Sequence, residues 1–444
     1  MTRRTAAALT ATLLATGVTP LFLSAPASAA VAKYSDDFNG DGYRDLAYGG
    51  HNDTDRSGGT VTVVYGTATG PDTAHPRFLH QDSAGIPGSG EEDDQFGASL
   101  ASADLNKDGY ADLVVGNPTE HVGSQRYRGS VTIVWGSKSG LSGGTAVTPR
   151  TGSQGHFGTD VATGDFTGDG SPDLAVIGGM ETWLYRGAFS KSGATGSVSK
   201  IDKAGAGWYS YGLAAGKVNG DGKTDLVVLG EQFVDNTPVE RVWFLKGSSS
   251  GLTSGASKTV AAGSAAIGDF DKDGYGDIAL GRPDANDGMG SLTVWRGTAS
   301  GPSGSHTYNQ ASSGVSGSRE RDDNFGYAVA AGDTDGDGYA DLAVGVPHED
   351  AGSVADQGGV HLFRGGPGGL TGTRSAWIAQ TVTGADGAYA SFGYTLRLRD
   401  LTRDGKADLG VGAAGAGVLL RGAAGGTTTS GAVVLPELGG SFQD

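Results

Sequence analysis

One nine-residue loop recurs seven times between residues 37 and 408. Its fullest copy is Asp269-Phe-Asp271-Lys-Asp273-Gly274-Tyr275-Gly-Asp277, and Ile278-Ala-Leu-Gly281 follows at once. Acids stand at positions 1, 3, 5 and 9, and glycine at position 6. The copies start at Asp37, Asp104, Asp165, Lys217, Asp269, Asp333 and Asp400, spaced 67, 61, 52, 52, 64 and 67 residues apart. A repeat of this length marks a unit that buries its apolar face only against a neighbouring copy. The 444 residues therefore need no single large core.

Each loop runs directly into an apolar strand: Asp45-Leu-Ala-Tyr, Asp112-Leu-Val-Val, Asp173-Leu-Ala-Val, Asp225-Leu-Val-Val, Asp277-Ile-Ala-Leu, Asp341-Leu-Ala-Val and Asp408-Leu-Gly-Val. A polar loop of variable length follows, then a third strand at 60–65, 130–135, 182–185, 241–245, 291–295, 359–363 and 417–420. A Gly-rich turn and a weaker fourth strand close the unit, as at 77–80 and 431–435. No stretch sustains a helical period, and 81 glycines would penalise helix interiors. The reading is all-β: a seven-bladed β-propeller of four-stranded blades, which protects sheet edges by radial repetition. Approximate blades are 30–90, 91–153, 154–205, 206–258, 259–319, 320–385 and 386–444. An open β-solenoid is the competing architecture, but its repeats are shorter and more uniform.

Residues 1–29 read as a secretory signal peptide: Arg3 and Arg4, an apolar stretch over 6–23, then Ala27-Ser28-Ala29 as cleavage site. Thr residues and Pro20 interrupt the run, which argues against a membrane anchor. Arg3-Arg4 leaves twin-arginine export open as the route. No later segment is apolar enough to span a bilayer. The expected location is extracellular. A net charge of −17 argues against nucleic acid or an anionic membrane as partner. The absence of cysteine excludes disulfides, thiolate zinc sites and cysteine nucleophiles, leaving metal as the candidate staple.

The loops suit a hard divalent cation. Side chains at 1, 3 and 5 of a tight curl point to one centre, and the carbonyl at 7 and carboxylate at 9 complete an oxygen cage fit for Ca2+. The expected ligands are Asp37, Asn39, Asp41, Tyr43 and Asp45; Asp104, Asn106, Asp108, Tyr110 and Asp112; Asp165, Thr167, Asp169, Ser171 and Asp173; Asp269, Asp271, Asp273, Tyr275 and Asp277; Asp333, Asp335, Asp337, Tyr339 and Asp341; Asp400, Thr402, Asp404, Lys406 and Asp408. Position 12 holds Tyr48, Val115 or Leu280 where an EF-hand needs Glu, so these are strand–loop–strand sites. Ligand charge ranks loops five and six tightest, one and two next, three and seven weakest. Loop four has Lys217 at position 1 and is expected to bind no metal, its ammonium pairing instead with Asp221 and Asp225. Up to six Ca2+ follow, bracing the blades rather than signalling. An ion-free Asx turn is the competing reading of any single loop.

The chain resembles the FG-GAP repeat family, whose best-known members include the integrin α N-terminal propeller. Phe96-Gly97, Phe157-Gly158, Phe325-Gly326 and Phe392-Gly393 each stand eight residues before a loop start. Gly116-Asn-Pro118, Gly281-Arg-Pro283 and Gly345-Val-Pro347 carry the second half of the motif, and Gly412-Ala413-Ala414 is a partial match. Repeat four has Tyr209-Ser210 in register, repeat five Ala261-Ala262, and repeat one would place its pair at the cleavage site. The resemblance implies Ca2+ in the loops between first and second strands on one face. It implies partner docking on the other, here over 51–57, 82–94, 119–128, 231–238, 284–289, 313–323 and 348–357. No catalytic residue carries over.

Other motifs are weak. Gly140-Leu-Ser142-Gly-Gly144 fits a nucleophile elbow by composition alone, with no helix after it. Gly222-Lys223-Thr224 lacks the earlier glycine of a phosphate loop. His51, His121 and His348 share second-to-third-strand loops and read as solvated. Trp135, Trp183, Trp243 and Trp295 read as packing between blades. Asn52-Asp-Thr54 is a glycosylation sequon. The function expected is a secreted, monomeric, calcium-binding propeller serving as a binding or adhesion module for an extracellular protein or glycan. The alternative is a polysaccharide lyase or hydrolase using carboxylates and His on the face opposite the calcium loops.

Overall fold

A computed structural model of the chain describes residues 31–50, 58–149, 155–179, 181–201, 208–350, 352–380, 391–414, 416–436, 438 and 440–443. Residues 1–29, expected to be a signal peptide, the loop 51–57 with His51, and the Asn52 sequon lie outside them. The described residues form seven antiparallel sheets, each of consecutive strands in sequence order. In blade six the strands are Val329–Gly332, Asp341–Val346, Gly359–Arg364 and Thr371–Ala379. Its second strand is buried along its whole length. An unbroken Asp-Leu-Ala-Val-Gly-Val run suits such a strand, because neighbouring blades cover both faces of the sheet.

Seven hydrophobic cores sit at seven seams. One joins blade two to blade three through Val114, Ile133 and Trp135 against Phe157, Val161 and Val176. Another joins blade six to blade seven through Val360 and Leu362 against Phe392, Leu409 and Val411. The last packs Leu401, Leu419, Leu435 and Phe442 of the chain's end against Leu46, Tyr48 and Val64 of its beginning. The ring is closed, and the fold is a seven-bladed β-propeller.

Closure is made by the C-terminus. Blade one has three strands of its own: Leu46–Gly50, Thr60–Val64 and Arg77–Leu79. Phe442 takes the place of the missing first, innermost strand, in an antiparallel bridge to Tyr48. Gly49 N donates to Ser441 O at 2.9 Å, and Gln443 N to Ala47 O at 3.1 Å.

The Phe-Gly and Gly-x-Pro elements meet across the seams. A Cβ on Gly345 would stand 2.0 Å from Gly393 O, and one on Gly281 2.0 Å from Gly326 O. Only glycine lets the next blade's corner approach so closely. Within a blade, Gly326 N donates to Gly345 O at 3.0 Å. Blade five, which lacks Phe-Gly, makes the same bond one residue later, from Gly263 N to Gly281 O at 2.9 Å.

Strands alternate in direction. The nine-residue loops therefore all emerge on one face, and the second-to-third-strand and inter-blade loops on the other. Small residues of the first strands, among them Ser102, Thr163, Ala214, Ala266 and Ala330, line an axial cavity of about 410 Å³.

Candidate metal centres

The nine-residue loops share one geometry. Glycine at position 6 has φ between 80° and 92° in all seven (Gly42, Gly109, Gly170, Gly222, Gly274, Gly338, Gly405). A side chain there would be strained. Position 2 is a buried plug: Phe38, Leu105, Phe166, Val218, Phe270, Thr334 and Leu401 are at most 1% exposed.

Position 9 has a structural role of its own. Asp45, Asp112, Asp173, Asp225, Asp277, Asp341 and Asp408 are all buried. One oxygen of each accepts the N–H of the glycine that ends the third strand. These glycines are Gly66, Gly136, Gly187, Gly247, Gly297, Gly365 and Gly422, at 2.8–3.0 Å. The other oxygen accepts a loop N–H, from Phe38 in loop one (2.8 Å) and Val218 in loop four (2.9 Å). The carboxylate staples the loop to the third strand whether or not position 1 is acidic.

The remaining carboxylates curl the loop around themselves. Position 1 accepts backbone N–H groups from the tip: Asp41 and Gly42 bond Asp37 at 3.1 and 2.8 Å, and Asp273 and Gly274 bond Asp269 at 3.1 and 2.9 Å. Position 5 accepts the N–H of position 7, as Asp273 does from Tyr275 at 3.0 Å and Asp337 from Tyr339 at 3.0 Å. In loops one and two, Asn39 and Asn106 at position 3 bond Asp41 and Asp108. In loop three, Thr167 reaches Asp165 at 3.4 Å. In loops two, three and seven the position 7 donors are Tyr110, Ser171 and Lys406.

Three carboxylates come within 4.8 Å of one another at Asp269, Asp271 and Asp273, and again at Asp333, Asp335 and Asp341. Burial, reinforced by neighbouring acids, pushes Asp45 and Asp112 up to about 8 and Asp277 to about 6. Such crowding of hard oxygen donors favours a cation, and the donor set fits Ca2+.

Loop four departs from expectation. Lys217 is exposed, and the ammonium paired with Asp221 is that of Lys223, at 3.5 Å. Lys223 N also donates to Asp221 Oδ1 at 3.0 Å, which holds position 7 beside position 5.

The sequence reading missed a set of cations. The residue before each third-strand glycine is Tyr65, Trp135, Arg186, Lys246, Arg296, Arg364 and Arg421. Arg296 pairs with Asp271 and, at 3.2 Å, with Asp273. Arg364 pairs with Asp335 and lies 3.4 Å from Asp341. Their common register, one residue before glycine, is the signal that would have found them. Loops five and six thus carry a counter-charge from their own third strands, whereas in loop two Asp108 is paired at 3.5 Å with Lys191 of the next blade.

The other face is aromatic and irregular. Tyr127, Phe233 and Tyr394 are 38%, 39% and 48% exposed. Tyr394 packs on Tyr327 with ring centroids 4.7 Å apart, and Phe233 on Tyr209 at 4.9 Å. His121 packs edge-on to Tyr127, whereas His348 meets Asn324 at 2.6 Å in a distant blade, so the two histidines form no joint site. Ser142 begins the outer strand Ser142–Ala146, and Gly222-Lys223-Thr224 is the tip of loop four. Of the third-strand tryptophans, Trp135, Trp243 and Trp295 are buried in seam cores, and Trp183 packs partly buried against one. No helix among the described residues is long and apolar enough to cross a membrane.

A profile of the FG-GAP repeat matches residues 96–134, 157–199 and 325–363. Phosphatidylinositol-glycan-specific phospholipase D of Bos taurus is 35% identical over 153 residues, 30% of this chain and 18% of that protein. Integrin alpha-5 of Xenopus laevis is 31% identical over 209 residues, 43% of this chain and 20% of that protein. Integrin alpha-PS2 of Drosophila melanogaster is 29% identical over 224 residues, 44% and 15%. The chain thus spans about a fifth of the length of these relatives. Among solved structures, the Dos1 propeller aligns at 8% identity over 81% of this chain and 75% of that one, with a TM-score of 0.44. The chain is a seven-bladed β-propeller that carries FG-GAP repeats at three places and is related to integrin α subunits.

Proposed function

We propose that this protein is a secreted propeller braced by Ca2+, working as an extracellular binding or adhesion module for a protein or glycan. The observation that carries the reading is the division of the two faces. One presents the oxygen-rich loops in a common geometry. The other presents long loops with exposed Tyr127, Phe233 and Tyr394, aromatic rings of the kind that anchor interfaces. Loops one, two, three, five, six and seven hold the ions through positions 1, 3, 5, 7 and 9, and loop four holds none. Ca2+ offsets the carboxylate charge and stabilises the folded ring, since an ion bound only by the folded state adds stability. Chelation lowers the melting temperature by several degrees, and a protein and glycan array probed with and without Ca2+ identifies the partner. Equal melting curves in Ca2+ and chelator would refute the bracing role.

A second reading is an enzyme on the same face. Glu120 and Asp94, pushed by burial up to about 7 and 6, lie near His121 and would suit acid–base work. Turnover of a glycan or phosphodiester substrate that is lost in Glu120→Gln would favour it over the binding module.

A further inference from the structure

A second class of acidic cluster lies on the face opposite the nine-residue loops. Glu91 and Asp94 belong to the connection from blade one to blade two, and Glu120 to the second-to-third-strand loop of blade two. Their carboxylate oxygens come within 4.8 Å of one another. Asp94 is 3% and Glu120 6% exposed.

The cluster is built rather than accidental. Glu91 N donates to Asp94 Oδ2 at 3.0 Å, and Ser89 Oγ to Glu91 Oε1 at 2.9 Å. Asn117 Nδ2 donates to Glu120 Oε2 at 2.8 Å, and Gln81 Nε2 donates to the same oxygen. One oxygen of each carboxylate pair is thereby fixed, while Asp94 Oδ1 and Glu91 Oε2 are buried with no hydrogen-bond partner. No lysine or arginine among the described residues pairs with the three. Buried carboxylate oxygens left unsatisfied in mutual contact are costly unless a cation or proton joins them.

The same residue spacing occurs a second time, but there the three carboxylates do not close to within 4.8 Å of one another. Gln310, Glu320, Asp323 and Glu349 repeat Gln81, Glu91, Asp94 and Glu120, each 229 residues further on. Glu320 N donates to Asp323 Oδ2 at 2.7 Å, and Gln310 Nε2 to Glu349 Oε2 at 2.5 Å. Gln310 is 3% exposed and its Oε1, an acceptor, has no partner. The first copy sits at the seam of blades one and two, the second at the seam of blades five and six.

We propose that Glu91, Asp94 and Glu120 bind a hard divalent cation that clamps the seam of blades one and two on the face away from the nine-residue loops. The all-oxygen donor set suits Ca2+. The proposal is independent of the loop sites.

Crystals of the full chain soaked in MnCl2 test it by anomalous scattering. A peak enclosed by Glu91, Asp94 and Glu120 is expected. Its absence overturns the proposal, whatever the loops show. A peak here with empty loops would refute the loop sites alone. Native mass spectrometry in CaCl2 checks the count: the double variant Glu91→Gln/Asp94→Asn should carry one ion fewer than wild type, and Asp104→Asn should lose a different one. An unchanged count in the folded double variant overturns the proposal. If that variant does not fold, the wild-type anomalous map decides.

Discussion

Phe442 and Tyr48 stack edge to face across the seam between the last and first blades, ring centroids 6.1 Å apart and planes at 71°. Phe442 is 6% exposed and Tyr48 fully buried. The ring is fastened by residues the chain reaches only at its end. Phe442→Ala should therefore lower unfolding free energy by about 3 kcal/mol, the usual cost of removing a buried aromatic. Deleting 440–444 should cost at least as much, measured by urea denaturation. An unchanged midpoint for either would show that the seam closes without them.

Gly345 explains half of the repeat motif. Gly345→Ala drives a methyl into Gly393 O of the next blade and should cost about 2 kcal/mol or more through overpacking. Gly425→Ala, where a Cβ meets nothing within 4 Å, is the control and should stay within about 0.5 kcal/mol of wild type. Equal melting temperatures for the two variants would refute the close-approach argument.

The position 9 staple and the ion are separable in loop four. Asp225 accepts Val218 N, Asn219 N and Gly247 N at 2.9, 3.2 and 2.9 Å. Asp225→Ala leaves buried N–H groups unpaired and should cost about 2–3 kcal/mol. The loss should be the same with Ca2+ and with chelator. Lys217→Asp should instead add one ion to the count in native mass spectrometry. A Ca2+-dependent loss in Asp225→Ala would show that loop four already holds metal.

Arg296 competes with any cation for Asp271 and Asp273. Arg296→Gln should tighten Ca2+ at loop five by roughly tenfold, in keeping with removal of one positive charge at contact distance in a solvated site. Titration calorimetry reads the change. Weaker binding in the variant would mean that the guanidinium orders the loop for the ion instead.

His361 is fully buried against Phe325, Phe363 and Trp377, and neither ring nitrogen has a hydrogen-bond partner. Burial pulls its pKa down to about 4 from 6.5. Above pH 6.5 both folded and unfolded forms are neutral and the group costs nothing. As pH falls from 6.5 to 4 the unfolded chain takes up a proton that the folded one refuses, so stability drops by up to about 3 kcal/mol. Subtracting the pH–stability curve of His361→Leu from that of wild type should reveal this slope. Parallel curves would contradict it.

What was legible in the sequence is local. Glycine at position 6 answers a positive φ, and the acids at 1 and 5 answer backbone N–H groups within a few residues. The Asp-Leu-Ala-Val runs answer burial on both faces. These demands repeat with the blade, so a single chain displays each seven times, and the strands, the loops and the blade count follow. The tertiary structure decided whatever joins distant residues. It set Phe442 against Tyr48, Gly345 under the Gly393 carbonyl, Arg296 over Asp271 and Lys223 rather than Lys217 beside Asp221. Periodicity says which residues share a strand face. Only ring closure, which fixes how far each blade turns against the next, sets which of those faces meet.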